Sequence, residues 1–342
     1  MAVNTALTLV IAAFCGFATS LTGIPAGWLM GGALGVSVAG LMGVPVTMPR
    51  WLRDATFVMT GVSMGANVAR DSLALMLHWP VTLAALVVEL VLIITITGYV
   101  LRKLFRIDRG TAYLSSFPGH LSFVMSIAAA GVGDPRQITI IQVIRILLLT
   151  TVVPIGALFL PVNHAIAPAG GPSVGWLDLA AVTLVCAGVG FVFARLHVPA
   201  AYALGAMAAS MVAKFSGLFE GTMPGPLLIV IYVLVGALIG SRFAGITLGE
   251  FARASVGGII GTLITVAIAS ATAFGAAAFV DMPYGQIWLG LAPGGLESMG
   301  TLGIALGFDT AFIAAHHVAR LLLLTIAIPV VALLVRETDN KE

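Results

Sequence analysis

Apolar runs of membrane-spanning length recur along the whole chain, separated by short polar punctuation. They lie near residues 5–22, 25–43, 52–68, 79–101 and 137–160, and again near 175–194, 199–217, 226–241, 254–279 and 311–335. Each is close to the roughly 17–25 residues that a helix needs to cross a hydrocarbon core of about 30 Å. Two further runs, 111–131 and 286–307, are interrupted. "SSFPGHLSFVMS" at 115–126 and "GLAPGGLESMGT" at 290–301 carry Pro-Gly where a spanning helix should continue. Proline removes a ladder donor and clashes with the preceding turn, so the helix breaks there. The pattern predicts an all-α integral membrane protein with two deliberate breaks.

Composition agrees with the pattern. Of 342 residues, 60% are hydrophobic and only 9% charged, with a mean hydropathy of +1.11. A soluble domain carries about a quarter charged residues, so this chain lacks the charge to cover a water-facing surface and its natural partner is the lipid bilayer. Cys15 and Cys186 sit inside apolar runs and read as small hydrophobes, with no disulfide framework or metal cluster. Histidines are scattered at 78, 120, 164, 197, 316 and 317. A copper or iron oxygenase needs clustered His and carboxylate ligands, so no enzyme, metal site or resident cofactor is expected. Every loop is too short for a basic recognition domain, which argues against a nucleic-acid partner.

The chain also repeats itself. A shift of 175 residues aligns Pro118–Pro154 with Pro293–Pro329 without a gap; Pro118, Gly119, Leu121, Asp134, Arg145 and Pro154 are among the identities. The same shift pairs Gly61-x-x-x-Gly65 with Gly236-x-x-x-Gly240, and Thr8-Leu9-Val10 with Thr183-Leu184-Val185. One residue of slip matches "IPAGWLMG" (24–31) to "VPAAYALG" (198–205). Two homologous membrane repeats, 1–163 and 164–342, follow, with "HAIAPAGGPS" (164–173) as linker. The first segment resembles a signal peptide, but its repeat partner in mid-chain argues for, and we expect, a retained helix.

Loop charge decides how the repeats are oriented. If the two broken runs cross fully, twelve spans result and the repeats are parallel. If they dip in and return, ten result and the repeats are inverted. Cytoplasmic loops are enriched in Lys and Arg. Leaving aside Arg145 and Arg320, ten spans with a cytoplasmic N-terminus put twelve such residues inside and only Arg70 and Lys214 outside; twelve spans give nine against five. We therefore expect two inverted repeats of five transmembrane helices, each with a re-entrant hairpin tipped by Pro-Gly, and both termini cytoplasmic. A proline kink in an ordinary span is the alternative. The Gly-x-x-x-Gly motifs are explained by close helix packing.

Opposed hairpin tips meeting near the midplane make a binding site in inverted-repeat transporters. Pro118-Gly119 and Pro293-Gly294-Gly295 would be the tips, and the helices starting at Leu121 and Leu296 would turn free N–H groups toward an anionic solute. Asp134 and Asp309 read as N-caps, and Arg145 and Arg320 follow eleven residues later, about 16 Å deep. An arginine there costs roughly 2.5–3.5 kcal/mol and needs carbonyls, water or a carboxylate. Glu297 can pair with Arg320; Ser122 stands at the matching place in the first repeat, leaving Arg145 either a substrate ligand or a structural ion pair. Gln142 and His317 lie three residues before the two arginines, on their faces. His120 at the first tip, Glu297, and Glu89 alone inside 81–100 are candidates for carrying a coupling H+ or Na+. A bare carboxylate at Glu89 implies protonation or a hidden partner, and an inter-helix or inter-subunit hydrogen bond, as in a homodimer, is the role favoured over proton coupling. Ser115, Ser116, Ser122, Ser298 and Thr301 can bind solute or cap the broken helices.

The stretches "GIPAGWLMGGALG", "VPAAYALGA", "FPGHLSFV", "APGGLESMG" and "DTAFIAAHHVARLLLL" resemble the membrane AbrB-type family of bacterial proteins over nearly the whole chain. Its members are labelled transcriptional regulators or ammonia monooxygenases. The resemblance implies tandem AbrB repeats in a bacterial cytoplasmic membrane. The inferred architecture is similar to elevator-type glutamate and citrate symporters, an analogy of fold alone. The expected function is secondary-active transport of a small, carboxylate-bearing solute by alternating access. An indirect influence on gene expression, without transport, is the alternative.

Overall fold

The computed structural model describes residues 1–68, 79–119, 121–157, 174–218, 221 and 223–339, the side chains of Ser122 and residues 336–339 excepted. Helices fill the predicted runs: α1 (Ala2–Ser20), α2 (Gly27–Leu41), α3 (Arg50–Ala66) and α4 (Trp79–Leu92). A π-helical turn, Ile93–Thr97, leads into α5 (Gly98–Phe105). Then come α6 (Arg109–Ser116), α7 (Leu121–Ala129), α8 (Pro135–Ala157), α9 (Trp176–Arg195), α10 (Ala201–Phe215) and α11 (Gly225–Ser241). The chain continues through α12 (Leu248–Ala277), α13 (Tyr284–Leu291), α14 (Leu296–Leu306) and α15 (Thr310–Asp339). Among the described residues there is no strand. Among the described residues, six stretches are long and apolar enough to cross a membrane: α1, Trp79–Phe105, Pro135–Gly156, α9, α12 and Thr310–Val335. Helices α2, α10, α11 and α14 are shorter and apolar. This is a multi-pass helical membrane protein, and both interrupted runs are broken helices, α6/α7 and α13/α14.

Two compact units form. One comprises Met1–Leu77, Thr150–Ala244 and Leu296–Ala315; the other comprises His78–Leu149, Gly245–Gly295 and His316–Glu342. Each draws on both sequence halves, and the boundary expected at 163/164 lies outside the described residues.

In the first unit the halves exchange partners. Gly61 and Gly65 of α3 face Ala203, Ala206, Met207 and Ser210 of α10, while Gly236 of α11 faces Leu29, Gly32 and Ala33 of α2. A side chain at these glycines would occupy the neighbouring backbone, so the Gly-x-x-x-Gly motifs act as close-approach surfaces, as expected. Ser210 donates its hydroxyl to Val62 O at 2.9 Å. Lys214 donates to Ala66 O at 2.6 Å and Val68 O at 3.0 Å, placing a cation on the carbonyl end of α3. The equivalent Pro-Ala turns leading into α2 and α10 both hold alanine in the left-handed region, Ala26 at φ 54° and Ala200 at φ 50°.

The second unit packs α4, α6, α7, α12, α13 and most of α8 and α15 around Leu86, Leu90, Phe117, Ile138, Ala273, Ile287 and Leu324. Thr97 meets Thr265 of α12 at 3.4 Å. The start of α6 touches the turn after α7: a Cβ on Gly110 would stand 2.8 Å from Gly133 N, and Asp134 N donates to Thr111 Oγ1 at 2.6 Å. Asp108 caps α6 by accepting from Thr111 N at 2.8 Å. An eight-residue helix has little stability of its own. Asp108→Ala should therefore cost about 1 kcal/mol and speed hydrogen exchange at the amides of Thr111 and Ala112.

Candidate functional site

Breaking a helix leaves the carbonyls of its last turn without amide donors. At the first break α6 ends at Ser116, and Phe117 is extended, at φ −63°, ψ 122°. At the second, α13 ends at Leu291, and Ala292 takes φ −55°, ψ 132°. A tight bend follows in each: Gly119 N donates to Phe117 O at 3.1 Å, and Gly294 N to Ala292 O at 2.8 Å. Gly119 has φ 120°, a conformation that favours glycine, and a Cβ there would lie 3.7 Å from Leu321 and Leu324 of α15.

Side chains from the next long helix of each half serve the orphaned carbonyls. On α8, Gln142 Nε2 donates to Leu114 O at 3.2 Å and Arg145 Nη2 to Phe117 O at 3.0 Å. On α15, His317 Nε2 lies 3.2 Å from Leu289 O, and Arg320 Nη1 donates to Ala292 O at 2.7 Å. All four bonds span 28 residues, and their partners are related by the 175-residue shift. Arg320 also donates Nη2 to Gly290 O at 3.2 Å and to Leu291 O, and its Nη1 lies 3.4 Å from His317 Nδ1. The guanidinium groups are thus cationic caps on the carbonyl ends of α6 and α13, where the helix dipole favours positive charge. Asp134 and Asp309 cap α8 and α15 as expected, accepting from Arg136 N at 2.8 Å and Ala311 N at 2.9 Å.

The buried charges of the second unit are unequal. Arg145 and Arg320 are 4% and 1% exposed, and Glu89 of α4 is fully buried. Among the described residues, neither carboxyl oxygen of Glu89, nor the Nε of either arginine, has a hydrogen-bond partner. The charge of Arg320 interacts with those of both Glu89 and Arg145. His316, beside His317, bonds instead to Thr82 Oγ1 of α4 at 2.8 Å.

The pairing expected between Glu297 and Arg320 is not the one formed. In the first unit Glu297, in the first turn of α14, pairs with Arg242 at 2.7 Å, at the carboxyl end of α11. Acid at a helix start and base at a helix end each suit the local dipole. Thr301 Oγ1 bonds back to Glu297 O, and Ser116 Oγ to Ala112 O at 2.8 Å, so these hydroxyls serve their own helices. Ser115 Oγ is buried and has no hydrogen-bond partner among the described residues.

Among the predicted site residues, the second unit therefore gathers Glu89, Pro118, Gly119, Gln142, Arg145, Gly294, Gly295, His317 and Arg320. Glu297 and Ser298 belong to the first unit. His120 and the side chain of Ser122 lie outside the described residues. Sequence reasoning missed Arg242, which reads as a loop charge, and the π-turn four residues after Glu89, for which "IITIT" gives no distinctive signal.

Fold and site define a multi-pass membrane protein built on two broken helices, each capped by a buried arginine. The chain belongs to the AbrB family: the family model described as "Transition state regulatory protein AbrB" matches residues 28–336. It is 26% identical over 356 residues to "Uncharacterized protein YhjN" of Bacillus subtilis (strain 168), covering 94% of this chain and 90% of that one. It is 25% identical over 316 residues to "Putative regulator AbrB" of Escherichia coli (strain K12), covering 90% of each.

Proposed function

We propose that the protein is a secondary-active transporter of a small, carboxylate-bearing solute, working by alternating access in a bacterial cytoplasmic membrane. The observation that carries this reading is the matched pair of breaks, each held open by an arginine cap. Irregular backbone at membrane depth is tolerated where protein buries it or a watery cavity solvates it, and two such breaks are the usual mark of a carrier site. Helices α7 and α14 both begin at a break, and a helix start favours an anion. Among the described residues, two buried arginines against one buried glutamate leave positive charge in the second unit, which an anionic solute would balance. The contact between Gly110 and Gly133 supports a re-entrant first hairpin, and the loop charges support ten spans, inverted repeats and cytoplasmic termini.

On this reading the chain is not an enzyme. It needs no resident cofactor beyond a coupling H+ or Na+, and binds no nucleic acid; a homodimer is compatible with it. The name of the E. coli relative suggests a second reading, an indirect effect on gene expression, which the same measurement separates. Purified protein in proteoliposomes should take up at least one of a panel of mono-, di- and tricarboxylates. Arg145→Ala, which orphans a buried carbonyl beside the tip, should slow that uptake about tenfold. No uptake by the wild type, or wild-type rates in the variant, would overturn the proposal.

A further inference from the structure

Of the three residues that sequence reasoning offers for ion coupling, one is set apart by its surroundings. Glu297 is held by Arg242 at 2.7 Å, and His120 lies outside the described residues. Glu89 is fully buried, and among the described residues neither of its oxygens has a hydrogen-bond partner. Leu86 and Leu90 of its own helix and Ile93 at the start of the π-turn are its near neighbours in sequence, all buried.

We propose that Glu89 is the proton-carrying site of this protein, so that the coupling ion is H+ and not Na+. The use of that proton in coupling rests on the transport reading; the existence of the site rests on the carboxyl's surroundings alone. Sodium in membrane carriers is coordinated by several oxygens, commonly from unwound backbone. Among the described residues nothing hydrogen-bonds to the carboxyl of Glu89, and the nearby charge of Arg320 repels a cation. A proton needs one oxygen and leaves a neutral carboxyl, the form that an apolar environment accepts at least cost.

Among the described residues, the ionisable groups on the elements that share a core with α4 have other partners or lie at a distance, and the charge of Arg320 is the one that reaches the carboxyl. From α15, His316 is engaged by Thr82 and His317 by Leu289 O, while Arg320 interacts with the carboxyl through its charge. From α8, Arg145 is held by Phe117 O. Helix α12 packs antiparallel to α4 and α5, with Leu101 near Gly257 and Thr97 at Thr265. Glu250 and Arg253 therefore lie some 20 residues of helix, about 30 Å, from the level of Glu89. The ionisable group of α13, Tyr284, bonds to Ser270 O at 3.3 Å. When the carboxyl releases its proton to water, the carboxylate competes with the carbonyls of Gly290, Leu291 and Ala292 for Arg320. Loss of the proton thereby loosens the cap on the second break. The π-turn at Ile93–Thr97 gives α4 a weakened ladder one turn from the carboxyl, a device common at functional sites.

The test uses full-length protein in lipid nanodiscs, followed by infrared difference spectroscopy from about pH 5 to pH 9. The wild type should show the carbonyl stretch of a protonated carboxylic acid, free of hydrogen bonds and lost on raising the pH. Glu89→Gln, a neutral isostere of the protonated form, should lack the band while melting no lower than wild type. Absence of a titrating band in the wild type overturns the inference by itself, whether or not the variant folds. A band that persists in Glu89→Gln overturns it as well. The second arm measures internal pH in dye-loaded proteoliposomes challenged with the carboxylate panel. Solute-driven proton movement in the wild type, abolished in Glu89→Gln, supports the inference. Uptake that requires a Na+ gradient, or proton movement unchanged in the variant, overturns it. A titrating band with no carboxylate flux keeps the proton site and removes the transport reading.

Discussion

Arg320→Ala should be among the most damaging single substitutions in the second unit, lowering stability by about 3–5 kcal/mol. The guanidinium serves the carbonyls of Gly290, Leu291 and Ala292 at once. Each buried carbonyl left without a donor costs about 1–3 kcal/mol. The unfolded reference state within a membrane also finds partners, which keeps the total below the simple sum. Arg320→Lys should recover only part of the loss, because an ammonium is a point charge and cannot span three acceptors as a planar fork does. Denaturant titration of the purified protein, read by tryptophan fluorescence, gives the order wild type, Lys, Ala. A lysine variant as stable as wild type would show that charge alone matters and the fork does not. If Glu89 is neutral in the resting protein, the cost of Arg320→Ala should be the same in a Glu89→Gln background to within about 0.5 kcal/mol.

The same site shows what a sequence can and cannot disclose. Pro118-Gly119 and Pro293-Gly294 announce the breaks because proline acts on its own backbone, a local effect. Asp134 and Asp309 announce the starts of α8 and α15 for the same reason. The acceptors of Arg145 and Arg320 were illegible because they are carbonyls, which every residue possesses, reached across 28 positions. Sequence reasoning allowed carbonyls, water or a carboxylate for a buried arginine, and the one partner it could name by residue was Glu297. That carboxylate is held by Arg242, a residue that reads as a loop charge until the end of α11 is placed beside the start of α14. The 175-residue repeat gave a further clue that side-chain chemistry alone could not. Two arginines in equivalent places, one with a carboxylate nearby in sequence and one with Ser122 instead, require a partner common to both. The backbone is that partner. The division into compact units is likewise unreadable from the chain, since each unit is assembled from three separated segments.

Gly236→Val should have a comparable effect on the first unit, and a control fixes its meaning. A Cβ at Gly236 would stand 2.8 Å from Leu29 O, 3.0 Å from Ala33 N and 3.2 Å from the carbonyl carbon of Gly32. All three are backbone atoms of α2, which cannot rotate aside as a side chain can. Relief requires α11 and α2 to separate, and that sacrifices the packing of Ala237 against Ala12, Val36 and Val46. Overpacking typically costs about 1–3 kcal/mol and more where the backbone must move; a branched side chain here belongs at or above the upper end. Gly188 of α9 and Gly275 of α12 meet nothing within 4 Å of an added Cβ. Alanine at either should be neutral or stabilise by up to about 1 kcal/mol, through helix propensity alone. Melting temperatures of Gly236→Val and Gly188→Ala, measured side by side in detergent, should therefore move in opposite directions or differ by several degrees. If both shift alike, glycine in this protein serves helix flexibility in general, and the exchanged packing of α2 with α11 and α3 with α10 is not what makes Gly61 and Gly236 necessary.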